Sequence, residues 1–160
     1  MSIASLKVVP EEIRTSIIRV YNYQDKNLQG TFFNAFYGEE IVFGNFIQLI
    51  LTMEELMDKM DYPQASARSR AFKTPPYHAD RARIAEQLLL SPDQEIIATF
   101  KVKVLFRQGA SWQGELAWME SGETASFRST LELIKLIDSV LPQSTATLQD
   151  SLISAAVDAG

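Results

Sequence analysis

WQGELAWMESGETASFRSTLELI (Trp112–Ile134) and LQGTFFNAFYGEEIVFGNFIQLI (Leu28–Ile50) stand 84 residues apart and read as two versions of one stretch. Aligned at that offset without a gap, residues 28–57 and 112–141 are identical at seven of 30 positions: Gln29/Gln113, Gly30/Gly114, Gly38/Gly122, Glu39/Glu123, Phe43/Phe127, Leu49/Leu133 and Ile50/Ile134. Unrelated segments would share about two by composition, which argues for an internal repeat. Conservative pairs such as Ile47/Leu131, Met53/Ile137 and Glu54/Asp138 strengthen the match, and Val20/Val104 and Gln24/Gln108 carry it upstream.

Each copy reads as three strands followed by a helix. FKVKVLFR (100–107) sets Val102, Val104 and Phe106 against Lys101, Lys103 and Arg107, the two-residue period of a half-buried strand. WQGELAWM (112–119) alternates in the same way, and a short strand around Phe127 completes a meander. Ser129-Thr130-Leu131-Glu132 fits a capping box, with Asn45-Phe46-Ile47-Gln48 as its counterpart, and the segments that follow carry wide apolar stripes at helical spacing. The expected fold is α+β: a duplicated βββα unit giving about six mostly antiparallel strands, two repeat helices on one face and a connector helix at 79–90. A partly closed barrel is the alternative. The expected domain is single: repeat 1 over about 16–60, connector 61–96, repeat 2 over about 98–141 and tail 142–160. Pro10-Glu11-Glu12 suits the first turn of a short leading helix.

From 107 to 141 the sequence resembles a family of small bacterial, clostridial-type proteins with a W-Q-G strand followed by F-R-S and an L-E-L-I-x-L-I/M-D helix. That family has no assigned function. The resemblance implies a recurring domain and carries over no catalytic or cofactor residue.

Bulk properties bound the function. The composition, 46% hydrophobic and 22% charged, is that of an ordinary globule, and the absence of cysteine excludes disulfides, thiolate metal sites and cysteine nucleophiles. The longest apolar runs are shorter than a membrane span, and MSIASLKVV lacks a signal peptide's apolar stretch, so a cytoplasmic location and no membrane partner are expected. A net charge of −5 opposes nonspecific binding to nucleic acid.

The copies differ on one face. Pairing Phe106 with Trp112 places Val102, Val104, Phe106, Trp112, Leu116 and Trp118 under the helices, with Ile18, Val20, Leu28, Phe32 and Phe36 as their counterparts. The opposite face of the first repeat then holds Ile17, Tyr21, Tyr23, Phe33 and Tyr37, against Lys101, Leu105, Arg107, Ala117 and Ser121 in the second. Five bulky side chains make a patch larger than a monomer usually exposes, so a protein contact is expected there, by a homodimer or a heterologous partner, unless the chain's own connector or tail covers it. Asn22 and Asn34 fall on the face assigned to the core; either they find partners there or a bulge swaps the faces.

The search for chemistry yields little. His78 has no nucleophile or metal partner at usable spacing, the glycines form no phosphate-binding loop, and both tryptophans read as packing residues. Glu39 and Glu123 recur at the same Gly-Glu turn, a structural role first and a paired acidic metal site second. No catalytic residue, metal or cofactor is expected, and an enzyme or ligand-binding protein with a site between the repeats is a less favoured reading. Residues 67–84 carry Arg68, Arg70, Lys73, Arg81 and Arg83 against Asp80, a local +4 that leaves −9 for the remainder. Those cations are candidate anion contacts, which keeps nucleic acid as a less favoured partner and an acidic nucleic-acid-mimicking inhibitor as a variant.

Overall fold

The computed structural model describes residues 9–67, 70, 72 and 94–141. A short helix, α1 (Glu11–Arg14), leads into β1 (Thr15–Gln24), β2 (Asn27–Phe33), β3 (Glu40–Phe43) and α2 (Phe46–Met60), and then β4 (Ala98–Phe106), β5 (Gln113–Trp118) and β6 (Glu123–Phe127) lead into α3 (130–141). The strands form one antiparallel sheet in the order β3-β2-β1-β4-β5-β6, open at both edges and not closed into a barrel. The expected connector helix and the tail lie outside the described residues.

The ladder has the same pattern on either side of the central β1–β4 pair. Val20 pairs with Gly30 and Gly30 with Phe43; 84 residues on, Val104 pairs with Gly114 and Gly114 with Phe127. Ile17 faces Lys101, its own counterpart at that offset, so the centre of the pattern falls between them. Each glycine is dictated by close approach. A Cβ on Gly30 would lie 1.9 Å from the Arg19 carbonyl oxygen, and one on Gly114 would lie 2.0 Å from that of Lys103, while the Phe43 and Phe127 rings lie over the same points. Gly38 and Gly122 share a left-handed turn conformation, at φ 71° and 72°.

Both helices start as their sequences specify. The Gln48 N–H donates to Asn45 Oδ1 at 2.8 Å and the Gly44 N–H to Gln48 Oε1 at 2.7 Å, while the Glu132 N–H donates to Ser129 Oγ at 3.0 Å. α2 buries Leu49, Met53, Leu56, Met57 and Met60 and α3 buries Leu133, Ile137 and Leu141 against Ile18, Val20, Phe32, Phe100, Val102, Trp112 and Leu116 of the sheet. Each such side chain contributes roughly 1.5–3 kcal/mol, so one continuous core fixes both helices to one face.

The expected pairing holds through the body of the second hairpin, with Phe100 against Trp118, Val102 against Leu116 and Val104 against Gly114. A bulge then inserts Leu105, and Phe106 pairs with Gln113 instead of Trp112. One extra residue reverses the alternation, so Phe106 is 55% exposed and Arg107 is buried, the opposite of the expected placement. The first hairpin carries the same bulge between Val20 and Asn22. Asn22 therefore leaves the core face and donates to Gln29 Oε1, whereas Asn34 stays fully buried and donates to the Ile13 carbonyl and Ser16 Oγ. Phe36, expected in the core, stands in the turn after β2 and is exposed.

Candidate functional site

The face opposite the helices is built from rows of directly paired residues. The central row runs Glu40, Phe33, Ile17, Lys101, Ala117, Thr124 across all six strands, and the row beside it begins Val42, Thr31, Arg19, Thr99. In the central row the side chains are large on the first three strands and small on the last two, while Glu115 of β5 stands in the row that pairs Lys103 with Ser126. Ile17 and Phe33 are only half-buried, as is Tyr21, the extra residue of the first bulge. Exposed Ile96 and Met119 stand beside Ile17 around a shallow depression. Arg19 is paired with Glu40 and Lys103 with Glu11; Lys101 makes no ion pair among the described residues.

Two of the five residues assigned to this face lie elsewhere. The bulge turns Tyr23 to pair with buried Leu28, and the chain folds back after Asn34, so Tyr37 also packs against the core. Tyr37 sits under the Lys59 ammonium of α2, 5.4 Å from the ring centroid. The outer patch is therefore narrower than the sequence suggests, with Ile17, Tyr21 and Phe33 at its centre.

The same bulge creates a pair of contacts under the helices. Tyr23 donates its hydroxyl to Asp138 on α3, where Lys26 also reaches the carboxylate at 2.6 Å. At the corresponding place in the second half, Arg107, 4% exposed, binds α2 through Glu54 at 3.2 Å and Asp58 at 2.7 Å and gives its Nε–H to the Pro63 carbonyl at 2.5 Å. Trp112 Nε1 donates to the other Glu54 oxygen at 2.6 Å. The offset of 84 maps Tyr23 onto Arg107 and Glu54 onto Asp138, so each half's first strand holds the other half's helix. The Glu54/Asp138 pair was the trace of this in the sequence. Its meaning was hidden while Tyr23 and Arg107 were assigned to the outer face.

Lys26, first, and Tyr23, second, hold the Asp138 carboxyl below its usual range. Burial, with the Asp138 charge beside it, pushes the Tyr23 phenol up. A depressed carboxyl stabilises the fold above its unfolded pKa of about 3.9 and loses that contribution as pH falls toward the lower folded value. The Asp138→Asn variant should therefore show a shallower loss of stability than wild type on acidification below about pH 4. Denaturant melts at several pH values measure it, and identical acid slopes would remove the contact from the account.

Of the candidate anion contacts, Arg68, Lys73, Arg81 and Arg83 lie outside the described residues, as does His78. Arg70 is exposed and borders a depression of about 530 Å³ on the helix side, whose wall includes Ile50, Leu51, Glu54, Arg107 and Trp112. Glu39 and Glu123 stand at β3 and β6, the opposite edges of the sheet, five strand spacings of about 4.8 Å apart, so they cannot share a metal. Trp112 belongs to the buried core cluster and half-buried Trp118 packs against it. No helix among the described residues is long and apolar enough to cross a membrane. No protein-family model, curated protein or solved structure matches the chain.

Proposed function

We propose that the chain is a non-catalytic interaction module, derived from a copied βββα unit, that self-associates by stacking the outer faces of two sheets. The relief of that face supports this reading. Phe33, Ile17 and Tyr21 stand high on one half, while Ala117 and Thr124 leave a low strip along the central row of the other, with Glu115 in the next row and exposed Met119 at its end. A twofold between two copies reverses the central row, setting Phe33 over the partner copy's low half and Ile17 over its Lys101 stem, while the ammonium reaches solvent. Sheets stacked in this way pack about 10 Å apart, and apolar side chains from the two faces interdigitate. The matching registers and bulges at one fixed offset support the copied origin, and the divergence of the outer faces supports a later acquired contact.

Sedimentation equilibrium at micromolar concentration tests the proposal. Wild type is expected to be a dimer. Phe33→Glu, directly beside Glu40 and over the partner copy's Ala117, buries a carboxylate with no cation directly opposite it and should weaken dimerisation by roughly 100-fold. Leu131→Glu, on the helix side, should leave the dimer unchanged. A wild-type monomer at these concentrations would refute self-association.

A further inference from the structure

We infer that Met119 is an oxidation site whose conversion to the sulfoxide by hydrogen peroxide weakens the sheet-to-sheet dimer. The inference rests on the self-association proposed above and names what regulates that contact. Met119 follows β5, and its N–H donates to the Thr99 carbonyl at 2.9 Å, which holds it in the row of Arg19 and Thr99. Its side chain lines the shallow outer depression together with Ile17, Ile96 and Lys101. Exposure sets it apart. Met119 is 43% exposed, whereas Met53, Met57 and Met60 of α2 are 3%, 4% and 6% exposed in the core. Met1, the remaining methionine, lies outside the described residues.

The chemistry needs only access and the named oxidant. A sulfur lone pair attacks one peroxide oxygen, the S–O bond forms as the O–O bond breaks, and sulfur gives up an electron pair. The departing hydroxide then takes the proton from the transferred oxygen and leaves as water. The Lys101 ammonium lines the same depression and makes no ion pair among the described residues, so it is free to donate a hydrogen bond to the departing oxygen. The product is polar where the contact is apolar. Stacking the sheets takes a sulfoxide oxygen from each copy out of water beside Ile17 and Ile96, which makes association less favourable. The reaction proceeds on the dissociated chain, whose outer face is open, and dimerisation protects Met119.

Sedimentation equilibrium of the full chain before and after hydrogen peroxide, with peptide mass spectrometry of the same samples, tests the site. Met119 should gain its oxygen before Met53, Met57 and Met60, and more slowly at chain concentrations above the dimer's dissociation constant. The oxidised chain should dimerise about tenfold more weakly, and methionine sulfoxide reductases should restore the original affinity. Met119→Gln, which places an amide oxygen near that of the sulfoxide, should weaken dimerisation without peroxide. Met119→Leu should dimerise with a constant that peroxide leaves unchanged. The inference is overturned, with self-association left standing, if the chain oxidised at Met119 dimerises as before, if a core methionine reacts first, if the rate at Met119 ignores chain concentration, or if Met119→Leu stays sensitive. A chain that is monomeric before any peroxide overturns self-association and its regulation together.

Discussion

Arg107→Met should lower the free energy of unfolding by about 2–3 kcal/mol, although methionine nearly matches the volume removed. The guanidinium is buried, and it is the one group that ties the Pro63 carbonyl, Glu54 and Asp58 to the end of β4. Without it the carbonyl loses its donor, and Glu54 keeps only Trp112 while its charge stays partly out of water. Asp58 is more than half exposed and returns to solvent, which keeps the cost below that of a fully buried pair. Arg107→Lys should recover little, since an ammonium cannot serve both the carbonyl and the carboxylates with the arginine fork's geometry. A double-mutant cycle with Glu54→Gln, read by denaturant melts, isolates the pair and should give a coupling of about 1–2 kcal/mol. Zero coupling would mean that the Arg107–Glu54 pair contributes nothing to holding α2.

Gly114→Ala should cost still more, about 3–5 kcal/mol, because the new methyl group meets backbone and not a movable side chain. The Lys103 carbonyl oxygen is 2.0 Å from the built Cβ position and the Phe127 ring tip is 2.9 Å away, so β4 and β5 must separate or the phenylalanine must leave the core. Gly30→Ala faces the same geometry, with Arg19 and Phe43 in those places, and should cost about as much. Thermal melts of the two single variants check this. A loss below about 1 kcal/mol in either would show that the strands are not held at the described separation.

The fold was legible where local chemistry and periodicity agree. Asn45 and Ser129 marked the helix starts and alternation placed Val102 and Val104 on the core face, whereas Gly30 and Gly114 stood out only as identical positions, and the close strand approach behind them is a finding of the structure. The bulges were not legible, because the apolar alternation of Val102, Val104 and Phe106 runs on as if the strand were regular. Two signals stood against it: polar Asn22 at a position assigned to the core, and the identical Gln29/Gln113 beside each bulge. Gln29 accepts from Asn22, and Gln113 brackets the Gln108 backbone with 3.0 and 2.9 Å bonds. Polar side chains that complete an interrupted ladder resemble ordinary surface residues in a sequence. Tyr37 was misplaced for another reason, since β2 ends at Phe33 and the turn at Asn34 redirects the chain.

The outer contact can be tested through the absence of cysteine, which lets one introduced thiol report one position. Thr124 ends the central row at the sheet edge, opposite the other copy's Glu40 in the proposed stack, so a nitroxide on Thr124→Cys would report from the rim of the interface. Dipolar spectroscopy of the labelled chain should give an intermolecular distance of roughly 25–30 Å, from strand spacings of about 4.8 Å and sheets about 10 Å apart. The absence of intermolecular coupling, or a distance beyond about 50 Å, would contradict two stacked sheets.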